Sequence, residues 1–176
     1  VMQFLKKKLS LIRIIVRIMS KLMSAVDAND KATVEQLLKD GYSVNEADQK
    51  SKDWPVIIAA FKGRTTILEL LLSANADLTV LDPGMQATAL HAAAYAGHSK
   101  EAEMLIKHGI SIDQKGPFNG YTALHDAVSQ GHIDTAKVIL KGGSDQTIKN
   151  KSGQTALDIA ESNNDQTMVN LLTEME

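Results

Sequence analysis

At 176 residues the chain is long enough for one well-buried domain and too short to expect two. Apolar residues at 44% and charged residues at 23% argue against a disordered chain, and a net charge of -2 lacks the basic excess that nucleic-acid phosphates favour. The absence of cysteine removes disulfides, thiolate metal sites and cysteine nucleophiles together, so stability rests on packing, most of it by Ala and Leu.

The first 24 residues differ from everything after them: they are basic, strongly apolar and free of Gly and Pro. Placed on a helix over residues 3–24, Gln3, Lys6, Ser10, Arg13, Arg17, Ser20, Lys21 and Ser24 gather on one narrow side. Leu5, Leu9, Ile12, Val16 and Met19 lie on the broad apolar arc that remains. So narrow a polar strip leaves most of the circumference to be covered, and three coverings are open. The helix packs over the first unit of the chain that follows, pairs with a second copy of itself, or lies on a membrane with its cations toward anionic head groups. A cleaved secretory signal fits less well, because Arg13 and Arg17 interrupt the apolar stretch after Lys6, Lys7 and Lys8, and no run reaches the length of a membrane span. Met23 has the look of a natural start, which would leave the preceding residues peripheral to function.

The remainder is organised by a period. TALHAAAYAGH begins at Thr88 and TALHDAVSQGH at Thr122, an offset of 34, and TALDIAESNND follows from Thr155 after a further 33. Stepping back by 34 reaches WPVIIAAFKGR at Trp54, and once more reaches SKLMSAVDAND at Ser20, which keeps only Leu22 and Ala25 of the pattern. Each segment is followed by a second apolar run at helical spacing, such as Leu68, Leu71 and Leu72, or Ala136, Ile139 and Leu140, so each copy reads as two short helices back to back. Gly41, Asn75, Gly109 and either Gly142 or Gly143 end the second helix, where a left-handed backbone suits Gly and Asn. The stretches DQKSKD, DPGMQA, KGPFNG and KNKSGQ then read as turns.

This pattern resembles the ankyrin repeat, with its TPLH-type start, small-residue pair, GH pair and LL run. His91, Ala93, Gly97 and His98 carry it in one copy, His125, Ala127, Gly131 and His132 in the next, and Ala59, Ala60 and Gly63 in the one before. The resemblance covers roughly residues 20–176 and implies an all-α solenoid of five repeats, 20–47, 48–81, 82–115, 116–149 and 150–176, with the amphipathic helix of residues 1–19 added in front. Three departures affect loops rather than fold. Trp54 and Ile57 stand for Thr and His in the second copy, Asp158 stands for the last His, and the first three inter-repeat loops are one residue longer than the consensus.

The resemblance further implies a module that binds another protein through a concave face built from the first helices and loop tips, and no enzyme. Matching its variable positions puts Phe61, Lys62, Tyr95, Ala96, Ser129 and Gln130 on that face, with Gln49, Lys50, Lys52, Met85, Gln86, Phe118, Asn119 and Tyr121 at loop tips. Trp54 joins them, so five of the seven aromatic residues fall on one surface, and large aromatics are the usual interface anchors. Trp54, Phe61, Lys62, Met85, Tyr95, Phe118, Tyr121 and Gln130 are the candidate partner-binding residues; for Trp54 and Tyr121, packing between adjacent loops is equally open.

Five histidines invite a metal reading, but His91 and His125 repeat one slot and His98 and His132 another, one whole repeat apart, where the family uses them for loop and capping hydrogen bonds. His108 sits near a helix C-terminus as a donor or cation. Asp126 beside His125, with Ser129 a turn later, resembles a nucleophile and its base but lacks the strand-to-helix elbow and oxyanion turn. No cofactor or metal is expected, and the cytoplasm is the expected compartment. Whether the partner is an enzyme it inhibits, a component it scaffolds or a toxin it neutralises stays open, as does the rival of a membrane adaptor anchored by residues 3–24.

Overall fold

The computed structural model describes residues 21–48 and 50–175. Its elements are helices joined by tight loops: α1 (residues 21–27), α2 (Lys31–Lys39), α3 (Pro55–Phe61), α4 (Thr65–Ser73), α5 (Ala89–Ala96) and α6 (Ser99–Lys107). Then follow α7 (Ala123–Ser129), α8 (Ile133–Lys141), α9 (Ala156–Ser162) and α10 (Gln166–Glu174). Among the described residues there is no strand.

Helices of seven to nine residues are too short to persist alone in water, so each depends on its neighbours. The odd-numbered helices form one row, α3 on α5 on α7 on α9, and the even-numbered helices a second, α2 on α4 on α6 on α8 on α10. In the first row Ala59, Ala60, Ala93, Ala94, Ala127 and Ala160 are fully buried, and their small side chains let backbones approach closely. The second row supplies bulk through Leu68, Leu71, Leu105, Ile139, Met168 and Leu172. Leu22, Ala25 and Val26 of α1 join this core, so the described end of the N-terminal apolar segment is the first helix of the first repeat. The rest of the helix read over residues 3–24 lies outside the described residues.

Local chemistry starts and stops these helices where the sequence places the signals. Thr88, Thr122 and Thr155 occupy N-caps in extended conformation, each paired with the side chain three residues on. Pro55 opens α3, where its missing N–H costs nothing. Of the two candidates after α8, Gly143 takes the left-handed conformation with φ 91°, while Gly142 stays right-handed as the cap. The longer loops close by one scheme: the N–H of Asp48, Asp82 and Gly116 donates to the carbonyl five residues ahead at 2.8, 3.0 and 2.7 Å. In the last loop Asn150 reaches Gln154, four residues ahead, at 2.8 Å. The inserted residue is thus absorbed inside the turn, and the helix pairs stay in phase.

Gly97 shows how tightly the copies fit. It ends α5 with φ 78°, and a Cβ built on it would meet the His132 ring of the next repeat at 2.7 Å. That ring is held by its own bond, His132 Nε2 lying 3.1 Å from the Tyr95 carbonyl. The same overlap recurs one repeat earlier, where a Cβ on Gly63 would meet the His98 ring at 2.8 Å. Gly97→Ala therefore meets both a left-handed backbone and a ring edge, and is expected to cost about 2 kcal/mol in urea denaturation. A loss under about 0.5 kcal/mol would show that the ring moves aside freely.

Candidate functional site

The first-helix row leaves one side unused by packing, and large apolar side chains project from it. Phe61 on α3 is 44% exposed and Tyr95 on α5 52%, at matching positions of successive repeats, and Met85 in the loop before α5 is 63% exposed. These three line one cleft of about 420 Å³, walled also by Ile57, Ile58 and Ala92. Three carboxylates, Asp53, Asp82 and Asp126, and the edge of His91 complete it. Among the described residues no lysine or arginine lines the cleft.

The other candidates fall elsewhere. Trp54 is half-buried and its indole Nε1 donates to the Leu81 carbonyl at 3.0 Å, so it packs against the next loop. Tyr121 is half-buried and stacks on His125, ring centroids 5.3 Å apart. Lys62 is tied to Asp27 by one hydrogen-bonded ion pair that joins the end of α3 to the first repeat. Phe118 is 62% exposed at a loop tip away from the cleft. Gln130 is exposed as the cap of α7, and Ser129 beside it donates to the Asp126 main-chain carbonyl at 3.0 Å. Lys50, Lys52, Gln86 and Asn119 are exposed in their loops, and Gln49 lies outside the described residues.

The histidines are structural by their partners. His91 Nδ1 lies 2.8 Å from the Thr88 hydroxyl and Nε2 3.1 Å from the Tyr121 carbonyl. A carbonyl only accepts, so Nε2 carries the proton and Nδ1 accepts from Thr88. His125 repeats the arrangement with Thr122 at 2.8 Å and Gln154 at 3.2 Å. Burial holds both imidazoles below their ordinary pKa, so both stay neutral. His108 Nδ1 donates to the Met104 carbonyl at the end of α6, 2.8 Å away. Among the described residues no cluster of His, Asp or Glu is arranged to hold a metal ion.

No nucleophile–base pair forms either: both His125 nitrogens are engaged by Thr122 and Gln154, and the Ser129 hydroxyl faces a carbonyl. Asp126 is nevertheless unusual. It is half-buried against the cleft, and desolvation pushes its carboxyl up to about 7. Sequence reasoning weighed Asp126 only as part of a false triad. The missed signal is that this position is apolar in the neighbouring copies: Ile58, Ala92 and Ile159.

Among the described residues no helix is long and apolar enough to cross a membrane. Comparison with curated proteins finds no match. A family model described as ankyrin repeats (3 copies) matches residues 22–116, 56–150 and 113–176.

Proposed function

The chain belongs to the ankyrin-repeat family, and from that premise we propose that it binds a partner protein in the cleft along its first helices, with no catalytic role. Ankyrin repeats are in general protein–protein interaction modules. One observation carries the site: Phe61, Tyr95 and Met85 stand exposed together around an apolar cleft although the core is complete without them. Exposed apolar side chains gathered in one concavity mark interaction sites rather than chance, and aromatic anchors supply most of an interface's energy. Met85 adds a flexible apolar surface that adjusts to its occupant.

Trp54 serves this reading indirectly, by holding Leu81 next to the loop that brings Asp82 and Met85 to the cleft. The Lys62–Asp27 pair braces α3 in the same way.

Joint substitution of Phe61 and Tyr95 by alanine tests the proposal. Affinity purification from the native source identifies what stays bound, and calorimetry with that partner gives the affinities. The double variant is expected to bind about tenfold or more weakly with an unchanged melting temperature. Equal affinity in a folded double variant would place the interface elsewhere.

A further inference from the structure

The position four residues after the opening Trp or Thr is Ile58, Ala92, Asp126 and Ile159 in successive repeats. Ile58 and Ala92 line the cleft as apolar wall, and Asp126 puts a carboxylate on the same wall. Among the described residues none donates a hydrogen bond to that carboxylate; even the neighbouring Ser129 hydroxyl turns to the main-chain carbonyl. Asp82, by contrast, is occupied by its own turn, accepting from the N–H of Gly84, Met85 and Ala87 at 2.8, 2.8 and 3.1 Å. The cleft therefore combines apolar walls, a carboxyl group without a hydrogen-bond donor among the described residues, and an exposed tyrosine ring, Tyr95, on the adjacent helix. An arginine side chain matches all three: an apolar stem, a planar cation that stacks on an aromatic face, and a fork of donors for two free carboxylate oxygens.

We propose that this cleft recognises a partner-protein segment through an arginine, whose guanidinium binds the Asp126 carboxylate with its stem against Tyr95, while an apolar side chain of the same segment fills the Phe61 and Met85 end. The proposal rests on the first-helix face being the binding site, and adds the chemistry of what binds there. Asp126 is already desolvated, so pairing it with a cation removes little further hydration and restores a lost partner. Neighbouring helices pack roughly 8–10 Å apart, so α3 and α7 stand roughly 16–20 Å from each other. An extended chain covers that distance in roughly five or six residues, and a single short segment carries both anchors.

Selection of random short peptides displayed on phage against the immobilised full chain supplies the probe. Affinities of the selected peptides are then measured by calorimetry on the wild type, on Asp126→Asn and on the Phe61→Ala/Tyr95→Ala pair. The expected result is enrichment of arginine beside an apolar residue, with about tenfold weaker binding both to Asp126→Asn and after arginine is replaced by norleucine. The two losses should not add, because each removes the same pair. Peptides that need Phe61 and Tyr95 but neither carry a cation nor respond to Asp126→Asn overturn this inference and leave the binding face standing. Peptides indifferent to all three residues, or no selected peptide at all, overturn both. Sedimentation of the protein alone adds a check: a dimer that Asp126→Asn dissolves would put a second copy in the cleft and overturn the arginine assignment.

Discussion

Replacing His125 by alanine lowers the unfolding free energy by about 4 kcal/mol in chemical denaturation. The imidazole is 1% exposed and contributes on three counts at once. It accepts from the Thr122 hydroxyl and main-chain N–H, donates to the Gln154 carbonyl, and stacks on Tyr121. Alanine leaves a cavity and strands two buried donors, the Thr122 hydroxyl and main-chain N–H, while the Gln154 carbonyl keeps the Asn150 N–H; an unmet buried donor costs roughly 1–3 kcal/mol by itself. His108→Ala, at an exposed helix end, is the control and is expected to change stability by about 0.5 kcal/mol or less. A loss under about 1 kcal/mol at His125 would mean that water replaces the ring, and the clip between repeats would not be structural.

Acid should act through the same rings. Their folded pKa lies below the ordinary 6.5, so their contribution is intact above that value and is lost as pH falls through the folded pKa. His125→Ala, having one such ring fewer, should be less sensitive to that fall.

Asp126→Asn works in the opposite direction and stabilises the protein, by roughly 3 kcal/mol near pH 8 and by almost nothing near pH 4. The folded pKa of about 7 stands above the ordinary 3.8, so the carboxyl's contribution is whole at low pH and is lost as pH rises through about 7. The full linkage is roughly 4 kcal/mol. Partial exposure to the cleft and the favourable place of an acidic residue in the first turn of α7 reduce it. Denaturation curves for both proteins between about pH 4 and 8 give the difference; a gap that does not widen with pH would show that the carboxylate is not desolvated. A carboxylate that weakens its own fold is in keeping with the proposed role of Asp126 in binding a partner.

The period was legible because the copies speak for one another. Gly41, Asn75 and Gly109 end helices as their spacing demands, and the histidines fall in capping slots as the family pattern implies. What stayed illegible depends on neighbours that sequence spacing does not contain. For Trp54 and Tyr121 the sequence leaves contact face and loop packing equally open, and only the structure shows both turned into loops while Phe61 and Tyr95 stand in the open cleft. Gly142 and Gly143 were equivalent until the backbone assigned one the right-handed and the other the left-handed region. Asp126 drew notice only beside His125 and Ser129 as a discounted nucleophile and base, because its desolvation comes from the cleft walls and not from sequence spacing. Nor did the substitution of Ile57 for a capping histidine reveal that α3 goes without a side-chain cap and is linked to the following loop by the Trp54 indole, which reaches Leu81.

Each of these clips points forward along the chain. Trp54 reaches 27 residues ahead, His91 30 and His125 29. During synthesis each of these three donors therefore waits for its acceptor until most of the next repeat has been made, whereas Lys62, Arg64 and His132 reach back to the repeat before them. Every such link therefore joins one repeat to its neighbour and none reaches past it, so each repeat boundary carries its own fastening.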